Sequence, residues 1–336
     1  MEVVELREFP KPKVVISRCI EFDNCRYNGQ MIASDFAKSL VPYVDFLPVC
    51  PEVEIGLGVP RGSLRLVSSA EGGEMETRLV QPATGRDVTS EMQSFAASFL
   101  DSLGEVDGFI LKAGSPSCGI KNTKVYPTAG KSAALSRSEA GIFGRAVLAR
   151  HSDLAVEDEG RLRNPRVKEH FLTKLFTLAS FREVERLGSM GELVGFQAKN
   201  KMLLMAYHQT EQRALGEIAA NHDHRPFDEV AREYRAHLRR AMCRAPRYTS
   251  NINVLMHILG YFKDRLSSAE KAMFLENIQR YRDGKVTICP NTTLLKSWIA
   301  RFEDDYLMGQ TFFEPYPQDL IVVDPVVSHK GRDLWK

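Results

Sequence analysis

Short apolar runs at residues 13–17 (KVVIS), 43–49 (YVDFLPV) and 107–112 (DGFILK) carry β-branched or aromatic side chains and read as buried strands, with a further short strand at 153–156. Between them, residues 30–40, 88–103 and 141–150 place apolar side chains at helical spacing. Strands alternating with helices predict an α/β unit, a Rossmann-like, mostly parallel sheet with helices on both faces. Residues 61–89, with Gly, Ser and Thr interspersed, break the alternation and predict a hairpin or excursion.

From about residue 198 the pattern becomes helical throughout. Val254, Leu255, Ile258, Leu259 and Phe262 form one stripe of a core-facing helix. Ser267 followed by Glu270 is a capping-box signature for the next helix, with Phe274, Ile278 and Tyr281 as its inner face. Pro290 and Asn291 open a last long helix carrying Leu294, Leu295, Trp298, Ile299 and Phe302. The expected organisation is an α/β domain over 1–190, an all-α C-terminal domain over 198–320 and a tail over 321–336, a reasonable division for 336 residues.

Composition adds exclusions. With 43% apolar and 26% charged residues the chain reads as an ordinary globular protein. It shows neither a secretory signal at its start nor an apolar stretch of about 18 residues, so a cytoplasmic location and no membrane association are expected. In that reducing setting six cysteines point to metal ligation, catalysis or core packing before disulfides. The net charge of +2 is unevenly spread: residues 1–194 hold 24 Lys and Arg against 26 Asp and Glu, residues 195–336 hold 21 against 17.

Each of the first three strands is followed closely by a cysteine: Cys19, Cys50 and, after a GSPS turn, Cys118. Loops leaving the carboxyl ends of parallel strands face one crevice, so these thiols are expected to converge although far apart in sequence. Three thiolates suit a soft metal centre, either zinc or an iron-sulfur cluster. A single buried cysteine is more often a small hydrophobe, and it is the threefold correspondence that argues for a site.

The residues around them carry more. The segments ISRCIEFDNCRYNG (16–29), VCPEVEIGLGVPRG (49–62), GRDVT (85–89), LKAGSPSCG (111–119) and EDEGRL (157–162) resemble successive motifs of the 2-thiouracil desulfidase family. Residues 200–320, with NVLMHILGYFK (253–263) and LLKSWIARFEDDYLMGQ (294–310), resemble the helical domain fused to that family in tRNA 4-thiouridine desulfidases. The resemblance implies a 4Fe-4S cluster held by Cys19, Cys50 and Cys118 with one iron open to substrate sulfur. It also implies a catalytic carboxylate at Glu52 of the CPE motif and an active-site serine at Ser115. Cys25 stands where many relatives have an apolar residue, which makes it a candidate fourth ligand or redox-sensitive neighbour. Asp23, Asn24, Arg26 and Tyr27 are candidate pocket residues, whereas Arg61, Asp87, Glu159 and Arg161 read as structural ion partners.

In the basic half, Arg232, Arg235, Arg239, Arg240, Arg244 and Arg247 recur at steps of mostly three and four, with only Glu233 among them. Such a stripe suits a sugar-phosphate backbone, although it is equally the pattern of a solvated helix face. Cys243 and Cys289 read as filling positions, and His222 and His224 lack metal-ligand spacing. The function expected is desulfurisation of 4-thiouridine in tRNA. Its alternatives are turnover of free thiopyrimidines such as 2-thiouracil, and a non-catalytic, cluster-bearing RNA-binding or redox-sensing protein. A zinc hydrolase is disfavoured because the paired H-x-E and P-C-x-x-C spacing is missing.

Overall fold

The computed structural model describes residues 7–69 and 76–321, so nearly all of the expected tail lies outside the described residues. Four parallel strands, β1 (Lys13–Ser17), β2 (Asp45–Val49), β6 (Gly108–Leu111) and β9 (Ala155–Asp158), form a sheet of order β2-β1-β6-β9. The successive side chains of β1 enter opposite layers. Val15, with Phe109, packs against Met92, Ala96 and Leu100 of α3 (Thr89–Ser102) and Phe143 and Val147 of α4 (Ile142–His151). Val14 and Ile16, with Ile110, pack against Ala37 and Leu40 of α1 (Asp35–Leu40) and Phe171, Leu172 and Leu175 of α5 (Pro165–Leu187). A strand buried on both faces needs the uninterrupted apolar run that KVVIS supplies, and helices cover the sheet on both sides.

The excursion proves to be part of a second sheet. Strands β3 (Arg65–Ser69), β4 (Glu76–Gln81) and β5 (Arg86–Asp87) join β7 (Thr123–Tyr126) and β8 (Ser136–Glu139) in the order β5-β4-β3-β7-β8. Only the β3–β7 pair is parallel.

Helix α5 is the longest, at 23 residues, and its ends are written in local chemistry. Asn164 caps the amides of Arg166 and Val167, Pro165 occupies the first turn, and Gly188 ends the helix in the left-handed region at φ 65°. Seven further helices follow: α6 (Met190–Tyr207), α7 (Gln209–Ala220), α8 (Phe227–Ala241), α9 (Tyr248–Tyr261), α10 (Ser268–Arg282), α11 (Cys289–Phe302) and the short α12 (Asp305–Met308). The capping box of Ser267 and Glu270 is present, and α11 starts at the expected proline. One face of α6 with α7 and α8 continues the α/β core through Leu193, Phe196, Leu215 and Tyr234, the last stacked on Phe181 at 5.1 Å. Met202 and Ala206, also on α6, belong instead to a separate cluster with α9–α12. Among the described residues no helix is long and apolar enough to cross a membrane.

Candidate active site

The carboxyl ends of β1, β2 and β6 open on one cavity of about 150 Å3, lined by Cys19, Cys25, Cys50 and Cys118 together with Glu52 and Ser115. All four cysteines are buried and none is in a disulfide. The convergence expected from strand ends is therefore what the fold does. The loop after β1 is pinned by Ile32 N donating to Cys19 O at 2.8 Å, Cys50 caps the short helix α2 (Pro51–Glu54), and the SPSC turn follows β6 directly.

The SPSC turn is held from behind by α4. That helix has no side-chain cap; instead its free amides at Ile142 and Gly144 donate to Pro116 O (3.2 Å) and Ser117 O (3.0 Å). The contact is so close that a Cβ on Gly144 would collide with Gly119 O and stand 2.8 Å from Cys118 O. Ser115 Oγ accepts the amides of Ser117 (3.2 Å) and Cys118 (3.1 Å), a local turn that aims the Cys118 side chain, while still lining the cavity. Ser117 is fully buried and donates its hydroxyl to Glu52 Oε1 at 2.8 Å.

Glu52 is gripped from its other side by Arg61, whose Nε donates to Oε2 at 2.7 Å and whose Nη2 reaches the same oxygen. Arg61 Nη1 also donates to the carbonyls of Cys25 (3.0 Å) and Gly58 (2.9 Å), so one guanidinium joins the loop after β1 to the CPE turn. Lys112 Nζ, on the cavity wall, donates to Glu159 Oε1 at 2.6 Å, and Glu159 Oε2 takes the Ala113 amide at 2.6 Å. Arg26 and Tyr27 line the cavity, whereas Asp23 turns to Arg18 at 3.5 Å and Asn24 is exposed. Asp87 binds the Thr89 amide and hydroxyl, and Arg161 pairs with Glu157, both away from the cavity. Ser17 and Lys112 also join the lining; both lie within the motif segments 16–29 and 111–119 but are not singled out there, although Ser17, as the last residue of β1, holds a position that points to the crevice in any parallel sheet.

Burial pushes the Cys19 thiol up to about 12, with nearby Cys25 and Cys50 adding to the shift. It pushes Cys50 up to about 11 against the opposing Val53 amide, and it raises Cys118, aided by Glu52 and the other thiols and opposed by Ser17. Buried thiols that repel each other's ionisation gain from a cationic centre, which deprotonates coordinating thiols outright. Among the described residues no three His, Cys, Asp or Glu side chains close around a single ion. A cluster asks for a wider spacing, because each thiolate binds a different iron, and three convergent soft donors fit it.

The arginine stripe lies elsewhere. Arg235 Nε donates to Glu185 at 2.6 Å, Arg239 Nη1 to Asp153 at 2.6 Å, and Arg240 stands 3.5 Å from Glu211. The offsetting carboxylates thus come from neighbouring elements, a correction to the expectation that only Glu233 opposes the stripe. Glu233 itself pairs with Arg225 at 2.7 Å. Arg235 and Arg239 share a recess with Glu105 and Asp107, which precede β6, placing the stripe at the amino end of the parallel sheet. The cysteines occupy the carboxyl end.

An α/β protein with a thiol-lined crevice at its strand ends is the class that fold and site define. Residues 14–159 match the model of the 2-thiouracil desulfurase family, and residues 201–317 match a model described as a protein of unknown function, DUF1722. The uncharacterized protein YbbK of Bacillus subtilis (strain 168) is 32% identical over 109 residues, covering 32% of this chain and 72% of that protein. The uncharacterized protein YbgA of Escherichia coli (strain K12) is 27% identical over 155 residues, covering 46% of this chain and 92% of that protein. A solved structure titled a [4Fe-4S]-dependent thiouracil desulfidase, TudS, is 30% identical, covers 46% of this chain and 94% of its own, and has a TM-score of 0.36. Through its N-terminal part the chain belongs to the 2-thiouracil desulfurase family.

Proposed function

We propose that the chain is a desulfidase of thiolated pyrimidines that works with a 4Fe-4S cluster held by Cys19, Cys50 and Cys118, and that its substrate is 4-thiouridine in tRNA. The observation that carries this reading is the meeting of three buried thiols with the Glu52 carboxylate in one small cavity. The family match supports the chemistry.

The net reaction converts a thiocarbonyl and water into a carbonyl and hydrogen sulfide, with no net electron transfer. A bound cluster with an open iron supplies a soft Lewis acid for the thiocarbonyl sulfur. The protein manages position and protons. Glu52 lines the same cavity as the three thiols, so its carboxylate is available as general base toward the attacking water and as proton donor to the departing sulfur. Arg61 and Ser117 fix the plane of that carboxylate from opposite sides. The Ser115 hydroxyl, accepting two amides through its oxygen, keeps its own hydrogen for the pyrimidine ring or the water. Tyr27, on the cavity wall and 45% exposed, offers an aromatic face at the rim.

Free thiopyrimidines such as 2-thiouracil are the second reading, since the chemistry at Glu52 and the thiols needs only the base. Anaerobically prepared protein with measured iron and sulfide is incubated with 4-thiouridine-containing tRNA or with free 2-thiouracil, and hydrosulfide release is followed. Release from tRNA supports the first reading, release from the free base alone the second. Release from neither substrate by cluster-replete protein leaves a cluster-bearing binding or sensing protein.

A further inference from the structure

A cavity of about 150 Å3, which would also hold the cluster, is well below the roughly 300–1,000 Å3 of pockets that enclose whole drug-sized ligands, so a nucleotide would bring only its base to the mouth and leave sugar and phosphate outside. What surrounds the cavity then decides how a polynucleotide is held. Residues 112–150, which begin at the cavity wall, contain seven Lys and Arg and one acid, Glu139. Lys112 and Arg150 are ion-paired, with Glu159 and Asp101. Lys121, Lys124, Lys131 and Arg137 are exposed and have no carboxylate within 4.0 Å among the described residues.

The second sheet sets Arg65, Lys124 and Arg137 on one face, with Lys121 and Lys131 on the loops that enter and leave β7. Leu66 of β3 pairs with Val125 of β7, and both point into the core, so Arg65 and Lys124 fall side by side on the outer face. The antiparallel β8 carries Arg137 alongside. The Arg65 guanidinium lies over the Tyr126 ring at 4.5 Å and donates to Gly130 O at 2.7 Å, a flat cationic surface that is already ordered. This face abuts the site. Ser63 and Leu64, just before β3, line the cavity, and Thr123 at the start of β7 donates to Ser115 O at 3.3 Å. At about 3.3 Å per residue, β7 keeps the face within roughly 15 Å of the SPSC turn.

We infer that the outer face of the second sheet with the loops beside β7, formed by Lys121, Lys124, Lys131, Arg137 and the Arg65–Tyr126 stack, is the docking surface for the phosphate backbone of the RNA that presents the thiolated base. This rests on the proposed desulfidase reading and places an RNA contact on the sheet. Unpaired cations beside the cavity mouth release counterions on meeting phosphates, whereas Arg235, Arg239 and Arg240 must first give up carboxylate partners at the far end of the parallel sheet.

The test uses full-length protein and an unmodified tRNA transcript, with dissociation constants measured from about 50 to 200 mM KCl. A variant carrying Lys121→Gln, Lys124→Gln, Lys131→Gln and Arg137→Gln is compared with one carrying Arg232→Gln, Arg244→Gln and Arg247→Gln. The sheet variant is expected to bind at least about tenfold more weakly at low salt, with a salt slope smaller by about three units, while the stripe variant stays near wild type. Lys→Arg changes at the three lysines should retain affinity. Unchanged affinity and slope in the sheet variant, or a loss confined to the stripe variant, overturns the inference. So does an equal fall in free 2-thiouracil turnover, which would mark a damaged site and not a lost docking face. If wild-type protein releases hydrosulfide from free base but binds no tRNA, the docking surface falls and the desulfidase reading stands. If tRNA binding depends on the sheet but no substrate yields hydrosulfide, the docking surface stands and the desulfidase reading falls.

Discussion

Arg61 closes on Glu52 with two guanidinium nitrogens that share one carboxylate oxygen, Oε2, which leaves Oε1 to the buried Ser117 hydroxyl. The side chains are 3% and 14% exposed, so neither charge is solvated by bulk water and each depends on the other. Removing one member of such a pair leaves an uncompensated charge, at a cost of about 3–5 kcal/mol where the pair is deeply buried. Arg61→Gln should therefore lower unfolding free energy by about 3 kcal/mol in urea and reduce kcat more than KM, because the main loss is the orientation of Glu52. A kcat within twofold of wild type would remove Arg61 from any positioning role.

Glu52→Gln tests the proton-transfer assignment itself. The amide still accepts from Ser117 but cannot exchange a proton, so turnover should drop by about 10²-fold or more with iron and sulfide content retained. Cluster-replete protein with near-normal turnover would exclude Glu52 from the chemistry.

Ligand removal has its own pattern. Cys19→Ala, Cys50→Ala and Cys118→Ala should each abolish cluster retention, read as iron and acid-labile sulfide per chain, while the exposed Cys243 and Cys289 should be replaceable without loss. Cys25 is the informative case, since its thiol is near Cys19 and Cys50 but its backbone carbonyl is what Arg61 holds. Cys25→Ala preserves that carbonyl, so it should retain four irons; loss of iron would make Cys25 the fourth ligand and close the open site.

The legibility of this site in the sequence follows from where its information sits. Three cysteines at strand ends are readable because parallel-sheet geometry brings such ends together whatever lies between them. Ser17 is within reach of the same argument, since the predicted strand 13–17 ends on it, but a serine at a strand end has no metal-binding chemistry to single it out. Strands β7 and β8 (TKVY and SRSE) are four residues each, and β8 is wholly outside the apolar pattern, so the second sheet is not legible beyond its hairpin. Helix α5 has end signals in Asn164-Pro165 and Gly188, but an all-round buried helix lacks the clean stripe that would mark residues between them as one element. The stripe at 232–247 misleads in two respects: α8 ends at Ala241, so Arg244 and Arg247 lie beyond its face, and helical periodicity does not show which carboxylates of other elements meet the cations.

The close packing of α4 on the SPSC turn gives a prediction at a residue without chemistry. Gly144→Ala would force Cβ against the Gly119 and Cys118 carbonyls, which are backbone atoms and cannot swing away. The turn must shift, so the variant should lose roughly 2–3 kcal/mol of stability, the scale of overpacking, and retain less iron although every ligand is present. Full iron content and wild-type stability would show that the turn yields freely.

Stability should also respond to pH through His170. Burial pushes its pKa down to about 4, with Lys174 adding to the shift, and its Nδ1 lies 3.2 Å from the Tyr207 hydroxyl. The unfolded ring titrates near 6.5, so between about 6.5 and 4 the unfolded chain binds a proton that the folded chain refuses. The contribution is full above the unfolded value and is lost as pH falls, reaching on the order of 2 kcal/mol by about pH 5. Urea midpoints of wild type and His170→Gln at about pH 7.5 and about pH 5 should show that excess loss in wild type alone. Parallel pH dependences would mean that the ring protonates freely in the folded state.

The arginine stripe yields the last prediction, about cohesion between the two halves of the chain. Arg235 binds Glu185 on α5, and Arg239 binds Asp153 just ahead of β9, so α8 is tied to the amino end of the sheet at two points. Burial raises the Glu185 carboxyl against the lowering effect of Arg235, a sign that the arginine is what makes its charge tolerable there. Because Arg235 and Arg239 remain 43% and 33% exposed, solvent screens both pairs and each is worth about 1 kcal/mol at most. The double variant Arg235→Gln with Arg239→Gln should thus lose about 1–2 kcal/mol of unfolding free energy, with part of the wild-type advantage erased by high salt. If RNA docks on the second sheet as inferred, the variant's tRNA salt slope should match that of wild type. A flattened slope with unchanged stability would reverse the assignment and return the stripe to RNA.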